Sequence, residues 1–259
     1  MRIALITQEE PFYLPAALDA FCGTRGDQLV GMVILPSFNE SIWKTARRLL
    51  EFYGPFDFCR LCRRFVWARI LDQLDRFRPR GRAYSAGAVA RRHGLPVWRP
   101  PNVNAAEFLD VLRTRVKPDL LVSIAASQIF RKPLLEIPPL GCINLHSAPL
   151  PKYQGMMPNF WTLVHGEPNA AVTVHMMAEK LDAGDILLQK PVEIRPADSL
   201  HDLMVRSKKI GVQALNEAIQ LLEQGKANPV PMDTDQATYF SFPKREDAKR
   251  LRSQGRSLL

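Results

Sequence analysis

Ile3-Ala4-Leu5-Ile6 and Leu29-Val30-Gly31-Met32-Val33-Ile34-Leu35 are short apolar runs rich in β-branched residues, and between them Leu14–Cys22 repeats its apolar residues at helical spacing. Strand, helix, strand is the opening of a βαβ unit. The alternation resumes downstream. Ser85 to His93 reads as a helix closed at Gly94, Pro96–Trp98 as a short strand, and residues 104–116 as a helix. Asp119-Leu120-Leu121-Val122-Ser123-Ile124-Ala125 is an apolar run of the kind buried on both faces of a parallel sheet. Gly141–His146 and Ala171–Met177 read as two further strands, with a helix over Met157–His165 between them. Ser199-Leu200-His201-Asp202 is a capping-box pattern that starts a long helix to about Gln224, ended by Gly225. Strands alternating with helices predict an α/β fold, a mainly parallel twisted sheet with helices on both faces. Two parts stand outside this pattern. Residues 39–52 and 56–78 have helical patterns, broken at Gly54-Pro55 and closed by Pro79-Arg80-Gly81, which predicts a helical insertion of about 39–80. Residues 226–259 form a short C-terminal extension to a main domain of 1–225, and Lys244 to Arg256 reads as a mobile tail or a terminal helix.

The 259 residues are 46% hydrophobic and 24% charged, an ordinary globular composition that excludes disorder of the whole chain. The first apolar run is too short for a signal peptide, and no run approaches the roughly 20 apolar residues of a membrane span. A soluble cytoplasmic protein is expected. Cys22, Cys59, Cys62 and Cys142 are too scattered for a disulfide framework. Cys59 and Cys62 are one helical turn apart among core-type residues, so they are expected to be buried thiols rather than a metal site. The formal charge of +9 is concentrated: residues 44–92 hold 13 Lys+Arg against 4 Asp+Glu, and the remainder is neutral. Arg47, Arg48, Arg60, Arg63, Arg64, Arg69, Arg76, Arg78, Arg80 and Arg82 interleave there with Trp43, Phe52, Tyr53, Phe56, Phe58, Phe65 and Trp67. Such a mixture suits phosphates or an anionic surface. A solvated arginine face with its aromatics turned inward is the simpler expectation, and nucleic acid is not favoured.

A strand alternates its side chains, so Asn144 and His146 share one face while Ile143 and Leu145 share the other. Both polar residues stand at the end of their strand, where open α/β sheets place ligands. Leu181-Asp182-Ala183-Gly184-Asp185 is an acidic turn after the strand that carries Thr173 and His175. A carboxylate there near His146 is expected to hold its tautomer and raise its basicity. The Gly-x-Ser-x-Gly, Gly-x-Gly-x-x-Gly, phosphate-loop and His-Glu-x-x-His patterns are all missing from the sequence. These residues suggest an Asn/His/Asp site without naming a reaction.

Gly141-Cys142-Ile143-Asn144-Leu145-His146-Ser147-Ala148-Pro149-Leu150-Pro151-Lys152-Tyr153-Gln154-Gly155 resembles the signature of the folate-dependent formyltransferases, which act on methionyl-tRNA, glycinamide ribonucleotide and amino sugars. The resemblance continues through Val172-Thr173-Val174-His175 and Leu181-Asp182-Ala183-Gly184-Asp185-Ile186 and covers roughly residues 1–225. It implies a Rossmann-like formyltransferase fold and 10-formyltetrahydrofolate as the donor, with no metal. Asn144, His146 and Asp182 match the family's catalytic positions. Gln128, Ile129, Phe130, Ala178 and Lys180 match segments lining the pterin pocket, and His175 an accessory histidine. Asn144 and His146 are then the expected oxyanion donors, with Asp182 paired to His146.

The sequence also departs from the family. Ser147-Ala148-Pro149-Leu150-Pro151 replaces the usual Ser-Leu-Leu-Pro approach. Gln8-Glu9-Glu10-Pro11-Phe12-Tyr13 stands where purine-forming members have a glycine-rich phosphate loop. Methionyl-tRNA members carry a further barrel domain of about 100 residues, more than follows residue 225 here. The expected acceptor is a small amine, an amino-sugar nucleotide first, with an amino-acid-derived amine or hydroxylamine, or methionyl-tRNA, as alternatives. Glu9 and Glu10 are expected to attract a cationic amine and the arginines of 44–92 to hold a diphosphate. Contact of the insertion with an anionic membrane, a homodimer and an inactive formyltransferase-like binding protein are further readings.

Overall fold

The computed structural model describes residues 1–37, 41–77 and 81–259. Along the chain run β1 (Ile3–Gln8), α1 (Leu14–Arg25), β2 (Leu29–Leu35), α2 (Ile42–Phe77), α3 (Ala86–Arg92), β3 (Val97–Trp98), α4 (Ala106–Val111), β4 (Leu120–Ile124), α5 (Lys132–Leu135) and β5 (Cys142–His146). Then come β6 (Gln154–Gly155), α6 (Pro158–Val164), β7 (Asn169–Met176), β8 (Ile186–Glu193), α7 (Leu200–Glu223), β9 (Tyr239–Phe240) and α8 (Arg245–Ser253). Seven strands form one sheet in the order β3-β2-β1-β4-β5-β7-β8. The pairs from β3 to β5 are parallel, whereas β5–β7 and β7–β8 are antiparallel. The chain winds from β1 out to β3, then crosses back to place β4 on the other side of β1, so the expected α/β fold is the one observed.

The alternation within each strand divides the core in two. Ile3, Leu5, Met32, Ile34, Val122, Ile143 and Leu145 face one cluster with α1, α3, α6 and α7. Ala4, Ile6, Val33, Leu35, Leu121 and Cys142 face another, closed by Phe108, Leu109 and Leu112. Helix α7 starts as its sequence requires: Ser199 Oγ accepts from the Asp202 amide at 3.1 Å and Asp202 Oδ2 accepts from the Ser199 amide at 3.0 Å.

Strand β8 has no counterpart in the sequence reading. Its Ile-Leu-Leu-Gln-Lys-Pro-Val-Glu does not alternate cleanly, since only Val192 in it is buried, and it tolerates Pro191 because it is the sheet's edge strand. The stretch from Lys244 is the helix α8 rather than a mobile tail, and Ala248, Leu251 and Leu258 are buried in the main cluster.

The insertion is helical, as expected, and α2 is two rods broken at Gly54, whose φ of 75° no helix accommodates. Residues 39, 40 and 78–80, with Arg78 and Arg80, lie outside the described residues. Phe52 and Tyr53 are buried, with the Phe52 ring 5.2 Å from Phe160 and 5.4 Å from Phe242. Two expectations fail here. Trp43, Phe56, Phe65 and Trp67 are exposed rather than turned inward, and Cys59 and Cys62 are exposed while Cys22 and Cys142 are buried. The second rod packs along one side only, through Leu61, Ala68 and Asp72, so a core-like composition on its other side stays in solvent. Asp72 anchors that side: Ser85 Oγ donates to its Oδ1 at 2.6 Å, and Arg91 lies 3.7 Å away. Among the described residues no helix is long and apolar enough to cross a membrane.

Candidate active site

The antiparallel register of β5 and β7 sets Asn144 opposite His175 and His146 opposite Thr173, so four polar side chains share one patch of the sheet. Asn144 Nδ2 lies 3.2 Å from His175 Nε2, and His175 Nδ1 lies 2.8 Å from the Met176 carbonyl oxygen. A carbonyl only accepts, so Nδ1 carries the proton and Nε2 accepts from the Asn144 amide. Burial pushes the His175 pKa down to about 4 against the opposing pull of the Asp182 carboxylate, with His146 adding to the depression. His175 is therefore neutral near pH 7, and it fixes the orientation of an amide that keeps a second N–H to donate.

His146 has the reverse arrangement. Its Nε2 donates to the Tyr153 carbonyl at 2.9 Å, which leaves Nδ1 as the basic nitrogen of the neutral ring. Nδ1 faces Asp182 Oδ1 at 3.7 Å, beyond a direct hydrogen bond. The tautomer is thus set by the Tyr153 carbonyl and not by Asp182, which corrects the sequence expectation. Asp182 is itself held by the neighbouring loop: its Oδ2 accepts from the Gly155 amide and its carbonyl from Gln154 Nε2, both at 3.0 Å. The turn that delivers it needs a glycine, since a Cβ on Gly184 would lie 2.0 Å from the Met176 carbonyl oxygen.

The loop after His146 is braced from three sides. Thr173 Oγ1 donates to the Ala148 carbonyl at 2.6 Å, and Gln189 Nε2 donates to the Leu150 carbonyl at 3.0 Å. Thr238 Oγ1 accepts from the Tyr153 amide at 2.9 Å, and β9 pairs in parallel with β6. The Tyr153 ring stacks on Phe240 with centroids 5.5 Å apart, while its hydroxyl donates to Glu167 at 2.7 Å. Gln189, Thr238 and Phe240 were not singled out in the sequence. Nothing local marks them, because each reaches the loop from a distant segment.

The other expected residues divide. Gln128 is committed to backbone, accepting from the Val103 amide at 2.7 Å and donating to the Pro101 carbonyl at 2.9 Å. Phe130 is buried in the second core cluster, and Ile129 is exposed on the loop that follows β4, the strand beside β5. Ala178 and Lys180 are exposed on the segment leading to Asp182. Glu9 and Glu10 are spent on structure. Glu10 accepts the amides of Phe12, Tyr13 and Leu14 at the start of α1, and Glu9 accepts from the Ala86 amide and pairs with Arg99 at 3.1 Å. They do not stand ready to attract an amine, as the sequence had suggested. Among the described residues no group of three His, Cys, Asp or Glu is placed to hold a metal ion. A cavity of about 840 Å³ lined by Arg195, His201, Asp202 and Arg206 shares no residue with this site.

A sequence profile described as formyl transferase matches residues 67–219, more than half of the chain. The chain belongs to the formyl transferase family. It is 39% identical over 183 residues to a methionyl-tRNA formyltransferase of Syntrophus aciditrophicus, across 70% of this chain and 58% of that protein. The chain thus spans under three-fifths of the length of that relative. Among solved structures, glycinamide ribonucleotide transformylase 1 from Symbiobacterium toebii superimposes with a TM-score of 0.59 at 21% identity, over 90% of this chain and 94% of the other. The N-formyltransferase from Helicobacter canadensis, in complex with folinic acid and dTDP-3-aminofucose, gives 0.59 at 17% identity over 95% and 72%. These two likenesses establish the fold, and the family's Rossmann-like sheet is the one described above.

Proposed function

We propose that this protein is a folate-dependent N-formyltransferase that moves a formyl group from 10-formyltetrahydrofolate to a primary amine. The observation that carries the reading is the convergence of Asn144, His146 and Asp182, with Nδ1 of His146 left basic beside a carboxylate at 3.7 Å. The residues present fit a folate donor. The exposed Ile129 follows β4, the strand parallel to β5, and the exposed 178–181 segment leads into Asp182, and they offer apolar surface and backbone groups to a pterin. The donor, when bound, supplies an activated formyl carbon. The free N–H of Asn144 donates to the formyl oxygen as negative charge grows on it during amine attack. His146 Nδ1 accepts the amine proton, directly or through one water, with Asp182 beside the resulting imidazolium, and the same proton would pass to N10 of the donor as the bond from N10 to the formyl carbon breaks and tetrahydrofolate leaves. Neutral His175 keeps the Asn144 amide turned to donate.

The acceptor is read first as an amino-sugar nucleotide. A second reading, methionyl-tRNA, is favoured by the name of relatives 39% and 38% identical to this chain. The test starts with calorimetric titration of 5-formyltetrahydrofolate, a non-transferring isomer of the donor. Micromolar binding, about −8 kcal/mol, is expected. Transfer from 10-formyltetrahydrofolate is then measured against dTDP-amino sugars and methionyl-tRNA side by side. No binding at millimolar ligand sends the protein to the inactive binding-protein reading, and donor binding without transfer to either class turns the search to an amino-acid-derived amine or hydroxylamine. A cytoplasmic location goes with this reading.

A further inference from the structure

The second rod of α2, residues 55–77, is apolar on two opposite sides. Leu61, Ala68 and Asp72 make its buried side. Phe56, Val66, Trp67, Ile70, Leu74 and Phe77 are exposed, Phe56 at 87%, Trp67 at 61% and Phe77 at 88%. At about 100° per residue these six fall within roughly 100° of the helix circumference, opposite the buried side. From Phe56 to Phe77 the stripe runs ~30 Å at 1.5 Å per residue.

The charges along this rod are sorted as sharply. Asp72 is buried, and Asp57 and Asp75 are half-buried, whereas Arg60, Arg63, Arg64, Arg69 and Arg76 are exposed. Among the described residues of the rod, every exposed charged side chain is therefore an arginine. Arg63 lies within the stripe, Arg60 borders one edge, and Arg69 and Arg76 lie beyond the other. Arg60 also reaches Asp57 at 3.3 Å, and Arg69 stands over the Phe65 ring at 5.2 Å.

We propose that this face docks the protein on a lipid bilayer bearing anionic headgroups. Tryptophan, phenylalanine and branched aliphatics on one stripe, with arginines and no exposed carboxylates beside them, give an in-plane helix both its apolar burial and its charge attraction. The alternatives fit less well. Phe56, Trp67 and Phe77 are aromatic, but Val66, Ile70 and Leu74 share the stripe with them and offer no stacking platform to nucleic-acid bases. A second copy of the chain would bring arginines against arginines across the seam. The inference stands apart from the formyl-transfer reading, since it concerns a different face and a binding event without turnover.

The full chain is tested by co-sedimentation with vesicles of phosphatidylcholine alone and of phosphatidylcholine mixed with phosphatidylglycerol. Binding to the mixed vesicles is expected, at least tenfold weaker to the neutral ones, and falling as salt rises. The double variant Trp67→Ser/Ile70→Ser is expected to bind the mixed vesicles about tenfold more weakly with its Tm unchanged, because both side chains are exposed. Arg60→Gln/Arg63→Gln is expected to lose a similar factor on the mixed vesicles alone. Three results overturn the proposal. One is no sedimentation with the mixed vesicles at low salt. Another is a concentration-dependent dimer, by light scattering, that Trp67→Ser abolishes. The third is transfer RNA binding that survives Trp67→Ser/Ile70→Ser and displaces the vesicles.

Discussion

His146 and His175 sit on neighbouring strands, each within 3.7 Å of Asp182, yet the backbone gives them opposite tautomers. His146 spends Nε2 on Tyr153 and exposes a basic Nδ1, while His175 spends Nδ1 on Met176 and offers Nε2 to Asn144. Replacing His146 with Ala is expected to lower the single-turnover formyl-transfer rate on the order of 10²–10⁴-fold, and Asn144→Ala about 10²–10³-fold. Wild-type rates in either variant would falsify these roles. His175 also makes a prediction for stability. Its folded pKa of about 4 lies below the ordinary 6.5, so between those values the unfolded chain binds the extra proton. The stability it confers is complete above about pH 6.5 and is lost as pH falls towards 4, on the order of 3 kcal/mol in all. His175→Gln, which cannot take up that proton, should show a shallower loss of Tm between pH 7 and pH 4.5. Parallel pH profiles for the two proteins would count against a neutral buried ring.

Strand β9 is two residues long, yet it holds the loop that orients both His146 and Asp182. Its neighbour Thr238 secures the Tyr153 amide, and β6, its partner strand, supplies the Gly155 amide to Asp182. Small displacements of a catalytic group cost large factors in rate. Thr238→Ala is accordingly expected to reduce kcat about tenfold with little change in donor affinity, and Thr238→Ser to restore it. Gly155→Ala should do more harm, since φ is 94° there and a Cβ would lie 2.3 Å from the Phe240 carbonyl oxygen. Steady-state kinetics with donor and acceptor varied separately distinguish this from a binding defect, and an unchanged kcat in Thr238→Ala would remove the loop from the argument. Helix α2 has its own anchor. Asp72→Ala strips Ser85 Oγ of its buried partner and is expected to cost about 1–3 kcal/mol in thermal or urea unfolding.

The segment after α7 is part of the same core as the sheet. Leu251 and Ala248 of α8 and Leu258 are buried in the cluster that contains Ile143 and Leu145, the residues behind Asn144 and His146. Leu251→Ala should therefore destabilise the whole molecule by about 2–5 kcal/mol, in one cooperative transition with the sheet. An early, separate melting step would show instead that α8 is a dispensable appendage. The site and the exposed face of α2 belong to different parts of the molecule. The first lies at the carboxyl end of the central strands, as the winding of an open sheet dictates, and the second on the insertion between β2 and β3.

Local pattern was enough for β1, β2, β4, β5, helix α3, the capped start of α7, and the shared face of Asn144 and His146. Each of these depends on neighbours a few residues away, through strand alternation, helical period or capping. The Asn-x-His and Leu-Asp-x-Gly stretches also carried the family resemblance in consecutive residues. Pairing between distant segments decided the rest. The β5–β7 register set His175 against Asn144, the Tyr153 carbonyl chose the His146 tautomer, and Thr238 reached the loop from the far end of the chain. Edge strand β8 lacked alternation because only Val192 of its residues is buried, and Glu9 was taken up by the Ala86 amide from a distant segment, while Glu10 was taken up by the amides that start α1 just after it. Composition could not show which side of α2 meets the core, because both sides are apolar. Only packing against α3 and α8 leaves the arginine-lined stripe in solvent.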